Sequence, residues 1–396
     1  MKIMVIPTGY PSDDNRATML FVYEQAKALA NAGNEVSILH VQRQPSRMLL
    51  KKVDTRIQVL DDGFATRYFT RLKTFAMHTF PRLLRHNFEK KMRQLFLYAR
   101  ERGEQPDVIY AHFSCWAGCA AIKIGQEFHI PVVTMEHYSE FISGKKMDAA
   151  YTQGLKETLA ASDRMLCVSD RLKTAIGSIT GMDRPIRVIP NMVDEHFVYH
   201  VPQQHDGFRF CTLGHLKPRK RIAFLVEAFC KAFSADENVS LWIGGDGAER
   251  DRIEKVIADH GREKQIHMQG RLSREQSVKL FTDSDCFVLP SAGETFGLVY
   301  REAMGIGRPV ITTDHGGWDA DNWSDEFGIR IPVDDMDQLI RAMKKMVRDY
   351  DGYDLQRISN YVQEHYSSVV IAAQILEELS AAVEGYDGKE ASNNLV

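Results

Sequence analysis

The stretch SAGETFGLVYREAMGIGRPVI, residues 291–311, decides the fold. An apolar run, DCFVLPS (285–291), leads into it and reads as a buried strand. A polar loop follows as far as Gly297, after which LVYREAMGI (298–306) has helical spacing and RPVITTD (308–314) is a second buried strand. Strand, loop, helix and strand form a βαβ unit, so the sheet is parallel. Ligands bind such sheets at the carboxyl ends of the strands, and the free N–H groups at the next helix start suit an anion. Gly297 lets the backbone approach a phosphate closely. Yet two carboxylates, Glu294 and Glu302, flank this loop. Like charges repel, so neither is expected on phosphate. Sugar and ribose hydroxyls, which donate to charged acceptors, are their natural partners. That pairing suits a nucleotide sugar; two solvated surface acids are the competing reading.

The same alternation extends outward. KIMVIP (2–7), EVSILHV (35–41), DVIYAHF (107–113), PVVTMEH (131–137) and RMLCVS (164–169) read as strands. FVYEQAKALANAG (21–33) and WAGCAAIKIGQEF (116–128) read as helices, the first stopped by Gly33. IRVIPNMVD (186–194) reads as a strand ending in a turn. After the polar segment VPQQHDG (201–207) the pattern restarts with FRFCTLG (208–214), the helix IAFLVEAFCKAF (222–233), VSLWIGGDG (239–247) and IHMQGRLS (266–273). A long helical pattern begins near 368. The expected domains are 1–189, 190–367 and a terminal helical segment, 368–396.

A length of 396 residues suits two domains, and 44% hydrophobic with 26% charged residues is ordinary for a globular protein. The net charge of -3 hides an asymmetry. Residues 1–189 carry 27 basic and 19 acidic side chains, and the remainder 23 and 34. Much of the excess sits in 41–105, with 15 basic and 6 acidic residues. Within it, RYFTRLKTFAMHTFPRLLRHNFEKKMRQLFLYAR (67–100) mixes basic and aromatic residues. It reads as a helical pair with a solvated basic face, or as a surface for anionic lipid. Nucleic acid is not an expected partner, since no recognised module is present. The six cysteines form no CxxC pair and no zinc-like cluster, which points to reduced thiols. The apolar run at the start is too short for a signal peptide and no run of 18 apolar residues occurs, so the expected location is cytoplasmic, either free or peripheral on the inner face of the membrane.

ETFGLVYREAMGIGRPVI, with Glu294 and Glu302 eight residues apart, closely resembles the E-x7-E signature of the retaining glycosyltransferases of family 4. GHLKPRKRIAFLVEAF (214–229) resembles the family's G-R-L-x-x-x-K-G segment, and WIGGDGAERDRIE (242–254) its glycine-rich loop. VIPNMVD (188–194) resembles its I-P-N-G-V-D turn, and PVVTMEHYSEF (131–141) the segment with its amino-terminal histidine. These lie in the family's order over nearly the whole chain.

The resemblance implies an α/β protein of the GT-B fold, two Rossmann-like domains facing a central cleft, with the carboxyl-terminal helix crossing back. It implies transfer of a sugar from a nucleotide diphosphate donor to a hydroxyl of a glycan, lipid-linked or small-molecule acceptor, with retained configuration. Glu302 would hold ribose and Glu294 the transferred sugar. Lys220 matches the family lysine and Lys217 is a second cation for the leaving diphosphate, where developing charge needs stabilising. Thr295, Phe296, Gly297 and Leu298 would line the donor, His137 would contact its sugar, and Gly9 in the loop TGYPSDDNRATMLF (8–21) is a close-approach residue. His112 reads more readily as a buried structural histidine. Three departures stand out: His215 replaces the family's Arg, Arg221 its Gly after the lysine, and Met192 the Gly of the I-P-N-G turn. No metal or cofactor is expected, because such enzymes hold the diphosphate with cations and helix ends. DSD (283–285) reads as a helix end and strand start instead of a metal motif, and DAD (319–321) has no supporting context. A sugar-nucleotide epimerase of the same fold and a non-catalytic scaffold are the rival readings; a NAD-dependent oxidoreductase lacks its glycine fingerprint.

Overall fold

The computed structural model describes residues 1–11, 19–44, 53–74, 81–142, 147–314, 317–318 and 323–393, with side chains to residue 386. The chain forms two compact units, Met1–Met192 with Ser368–Val396, and Val193–Ser367.

The first unit is built on an eight-stranded sheet of β1 (Lys2–Pro7), β2 (Glu35–Gln44), β3 (Gln58–Asp61), β4 (Thr66–Lys73), β5 (Val108–His112), β6 (Val132–Glu136), β7 (Arg164–Cys167) and β8 (Arg187–Val188). Its order is β3-β4-β2-β1-β5-β6-β7-β8, and only the β3–β4 pair is antiparallel. Five of the six residues of β1, and all of β5 and β6, are buried, as strands covered on both faces must be. The helices are α1 (Leu20–Asn31), α2 (Pro81–Arg100), α3 (Cys119–Phe128), α4 (Ala149–Ala161) and α5 (Asp170–Thr180). α2 buries Leu84, Phe88, Met92, Leu95, Phe96 and Ala99, a stripe at helical spacing that packs with α3 against β1, β2 and β5. The long terminal helix α12 (Ser368–Asn393) packs on α1 within this unit.

The segment 67–100 is not a helical pair. Residues 66–73 form β4, inserted between β2 and β3, and only α2 is helical; 75–80 lie outside the described residues, as do 45–52. Interleaved Arg and Lys hide the period-two pattern of TRYFTRLK. Part of the basic charge is consumed locally. Arg67 pairs with Asp62 at 3.1 Å, Arg93 with Glu127, and Arg85 with both Glu89 and Glu157, while Arg82 and Lys90 stay exposed.

The second unit has a six-stranded, wholly parallel sheet: β9 (Phe208–Leu213), β10 (Val239–Gly244), β11 (Ile266–Gly270), β12 (Cys286–Leu289), β13 (Val310–Thr313) and β14 (Gly328–Ile331). Its order, β11-β10-β9-β12-β13-β14, is the 3-2-1-4-5-6 order of the doubly wound fold. Helices α6 (Ile222–Ala232), α7 (Arg250–Asp259), α8 (Arg274–Thr282), α9 (Leu298–Gly305), α10 (Met336–Asp349) and α11 (Leu355–Tyr366) cover it. The order reverses between β9 and β12, so the loops after those two strands share one crevice, the expected ligand position. Asp283 and Asp285 of the DSD motif are the last cap of α8 and the acceptor of the Arg209 N–H at 2.7 Å. DAD lies outside the described residues.

The loop after β10 is pressed against the loop after β9. Gly214 donates to the Gly244 carbonyl at 3.1 Å and Leu216 to that of Asp246 at 3.0 Å. Gly245 has a φ of +123°, and a Cβ there would lie 1.9 Å from the Gly214 oxygen. Gly245→Ala is therefore expected to destabilise the second unit by about 2–4 kcal/mol, combining backbone strain with overpacking. A urea midpoint equal to that of the parent would refute this packing.

Candidate functional site

In the second unit the predicted residues converge at the β9/β12 switch point. β9 ends at Leu213, and the chain passes Gly214, His215, Leu216 and Lys217 into a single 3-10 turn, Pro218–Lys220. The aliphatic stem of Lys220 lies across Gly214, 3.7 Å from where a Cβ would be, an ordinary van der Waals distance. Lys220 Nζ donates to Glu294 Oε1 at 2.7 Å, and the Ser291 hydroxyl donates to the same oxygen at 2.7 Å. The lysine and glutamate side chains are only 15% and 10% exposed, so this is a largely buried ion pair, not a lysine on a solvated turn. The two loops are also stitched together by Ala292, whose N–H donates to the Arg219 carbonyl at 2.8 Å.

Glu302 sits on α9, part-buried. Burial pushes its carboxyl up to about 7, partly opposed by Arg274 and Lys220 and reinforced by Asp194. Arg274 is itself held by Asp194 at 2.9 Å. Against the burial that would raise it, the His196 N–H and Arg274 keep Asp194 below its ordinary value. Asp194 and Arg274 were not among the expected site residues. Asp194 lies in the VIPNMVD segment and Arg274 starts α8; only the tertiary structure joins them to Glu302.

The loop between the two acids has two faces. Gly297 caps α9 in the left-handed conformation, φ +74°, where a Cβ would meet Tyr300 at 2.8 Å. Phe296 is core, 4% exposed; Thr295 and Leu298 are part-buried. Lys217 is exposed. His215 Nδ1 lies 2.7 Å from the Asp246 carbonyl, so this nitrogen carries the proton and ties the histidine to the glycine-rich loop. Arg221 adopts φ +57°, which explains the family's preference for Gly there, and reaches Asp334 at 2.8 Å. Met192 is buried and has no positive φ, so this departure carries no backbone cost.

The first unit places its own cluster at the ends of β1, β5 and β6. His112 Nδ1 and His137 Nε2 are 3.1 Å apart and their rings stack. Burial depresses both pKa values, His112 to about 3 and His137 well below its ordinary value, with His112 adding to the effect on His137. Both rings are therefore neutral near pH 7. His112 Nε2 and His137 Nδ1 find no hydrogen-bond partner among the described residues. Phe21 packs on His137 at 4.6 Å between ring centres. His112 is thus joined to His137 instead of satisfied separately in the core. Beside them Glu136, which sequence reasoning passed over, is fully buried. It accepts from the N–H groups of His137 and Tyr138 at 2.8 Å and of Ser114 at 2.9 Å, fixing two loops at once. Burial raises its pKa while those bonds oppose the rise. Gly9 lies nearby in the loop after β1; a Cβ there would sit 2.8 Å from the Met19 sulfur, and 12–18 lie outside the described residues.

Comparison with known proteins covers both units. Residues 20–197 match the family described as Glycosyltransferase Family 4, and residues 200–365 match Glycosyl transferases group 1. The chain is 23% identical over 368 residues to glycogen synthase of Mycobacterium tuberculosis, covering 88% of this chain and 86% of that protein. It superposes on sucrose-phosphate synthase from Thermosynechococcus elongatus with a TM-score of 0.76 at 20% identity, covering 96% and 100% of the two chains. Anabaena HepE, solved in complex with UDP and glucose, gives 0.70 at 18% identity, covering 96% and 100%.

The raised pKa of Glu302 has a stability consequence. The native state holds this proton more tightly than the unfolded chain, so the stabilisation is complete below the ordinary value of 4.5 and is lost as pH rises through about 7. Glu302→Gln removes that loss. At pH 8 it should be more stable than the parent by on the order of 1–3 kcal/mol, with little gain at pH 4.5. Urea midpoints measured at the two pH values test this; an equal difference at both would show that Glu302 titrates normally.

Proposed function

We propose that this chain, which belongs to glycosyltransferase family 4 and has the GT-B fold, transfers a sugar from a UDP- or GDP-linked donor to a hydroxyl of a glycan, lipid-linked or small-molecule acceptor, with retention of anomeric configuration. The observation that carries the reading is the Lys220–Glu294–Ser291 cluster at the switch point of the second sheet, with Glu302 on the adjoining helix. A diphosphate there meets Lys220 and the amino end of α9. Lys220 then stabilises the charge that grows on the leaving oxygen. Glu294 keeps a carboxylate beside the sugar, and Glu302 accepts from ribose hydroxyls. Because Lys220 and the amino end of α9 both offer positive charge to the diphosphate, the chemistry is proposed not to need a divalent metal. The leaving phosphate oxygen takes the acceptor proton in a front-face attack, and by the family resemblance His137 contacts the donor sugar.

The roles separate in a variant series. Glu302→Ala is expected to weaken nucleoside diphosphate binding. Glu294→Ala is expected chiefly to lower turnover, and Lys220→Ala to lower it about 10²-fold or more. Lys220→Ala should also lose stability, by about 1–3 kcal/mol, since it strands a buried carboxylate. Parent-like turnover by folded Lys220→Ala, or parent-like nucleotide affinity of Glu302→Ala, would overturn these assignments. Turnover that fails in excess EDTA and returns with one particular ion would overturn the metal-independent scheme.

We propose further that the acceptor, or the membrane presenting it, meets the basic segment 41–105. The exposed Arg82, Lys90 and the half-exposed Leu83 of α2 support this, although Arg85 and Arg93 are already ion-paired. No helix among the described residues is long and apolar enough to cross a membrane. Each basic residue near an anionic surface contributes about 1 kcal/mol, less at high salt. Cosedimentation should therefore favour anionic over neutral vesicles; equal binding to both, or to neither, would remove this contact.

A further inference from the structure

Arg301 is a side chain that family resemblance did not single out. It is the fourth residue of α9, immediately before Glu302, and it is 1% exposed. Its Nη1 donates to the Phe296 carbonyl and, at 3.5 Å, to that of Gly297, and its Nη2 donates to the Gly317 carbonyl at 3.0 Å. The guanidinium lies 3.9 Å from the centre of the Phe296 ring, 4.0 Å from that of Trp318 and 5.2 Å from that of Tyr366. Trp318 is anchored in turn, its indole N–H donating to Thr312 on β13 at 3.0 Å. One planar cation thus joins the loop after β12 to the segment after β13.

The direction of these bonds matters. In a trans peptide the C=O of one residue and the N–H of the next point opposite ways, and no peptide bond here is cis. Holding the Phe296 carbonyl towards the guanidinium turns the Gly297 N–H away from it. Holding the Gly297 carbonyl inward does the same to the Leu298 N–H. These are the N–H groups at the start of α9, where an anion is expected. A leucine would fill the space between the three aromatic rings but would exert no pull on either carbonyl. Lysine would keep the charge but not the flat fork or the stacking.

We propose that Arg301 is a positioning residue of the donor site, which turns the amides of Gly297 and Leu298 outward to receive the nucleotide diphosphate. This rests on the donor site proposed above. The test measures UDP and GDP affinity by calorimetry for the parent, Arg301→Lys, Arg301→Met and Arg301→Ala, together with thermal midpoints. The expected result is a Kd raised at least about 10-fold in every folded variant, Lys included, on the scale of losing one charge-assisted contact. Methylguanidinium should restore affinity to Arg301→Ala. Folded variants that bind like the parent would overturn the proposal while leaving the donor site intact. A parent that binds neither nucleotide would instead overturn the donor site itself. If no variant folds, amide exchange on the parent decides: the Gly297 and Leu298 amides should exchange readily alone and become protected with UDP or GDP. Equal protection in both states would overturn the proposal.

Discussion

The Lys220–Glu294 ion pair is the contact on which the second unit's site depends. It bridges the loops after β9 and β12, the two strands between which the sheet order reverses. It also resolves the apparent conflict of acids beside an anion site. Glu294 is ion-paired with Lys220 and accepts from Ser291, and burial raises Glu302 to about 7. The charge of Glu294 is balanced by a cation, and that of Glu302 is only partly developed near pH 7. A pair this buried is held in place by its surroundings, because removing either partner leaves the other desolvated and unmatched. The surrounding backbone is correspondingly tight, with Gly245 packed against the Gly214 carbonyl.

The first unit solves a related problem differently. Its buried carboxylate, Glu136, is met by three backbone N–H groups. That arrangement sets the loops after β5 and β6, and with them the paired histidines. Two neutral imidazoles sharing a hydrogen bond have linked tautomers. If His112 donates, His137 carries its proton on the outer nitrogen; if His137 donates, its outer nitrogen is an acceptor. His112 is therefore part of whatever His137 does.

Much of this was legible in the sequence, and for definite reasons. Parallel strands buried on both faces read as continuous apolar runs, so the two α/β halves and most strands were visible. Glu294, Glu302 and Lys220 stood out because their spacing matches a family signature. The sequence reading failed where a residue's role depends on distant neighbours. The proton affinity of Glu302 is tuned by Asp194 and Arg274, far away in the chain. Phe296 resembled a ligand contact but is core, and Arg301 carries no sequence signal, because the three aromatic rings around it are assembled only by the fold. β4 was hidden because its arginines and lysine mask a strand's alternation.

A double-mutant cycle across Lys220 and Glu294, reading single-turnover transfer from the donor, tests the central claim most directly. If the two side chains act as one unit, the Lys220→Ala/Glu294→Ala protein should be hardly slower than the worse single variant. That corresponds to a coupling of about 1 kcal/mol or more, as expected for residues in contact. Strictly additive losses would show that the pair has no joint role in transfer.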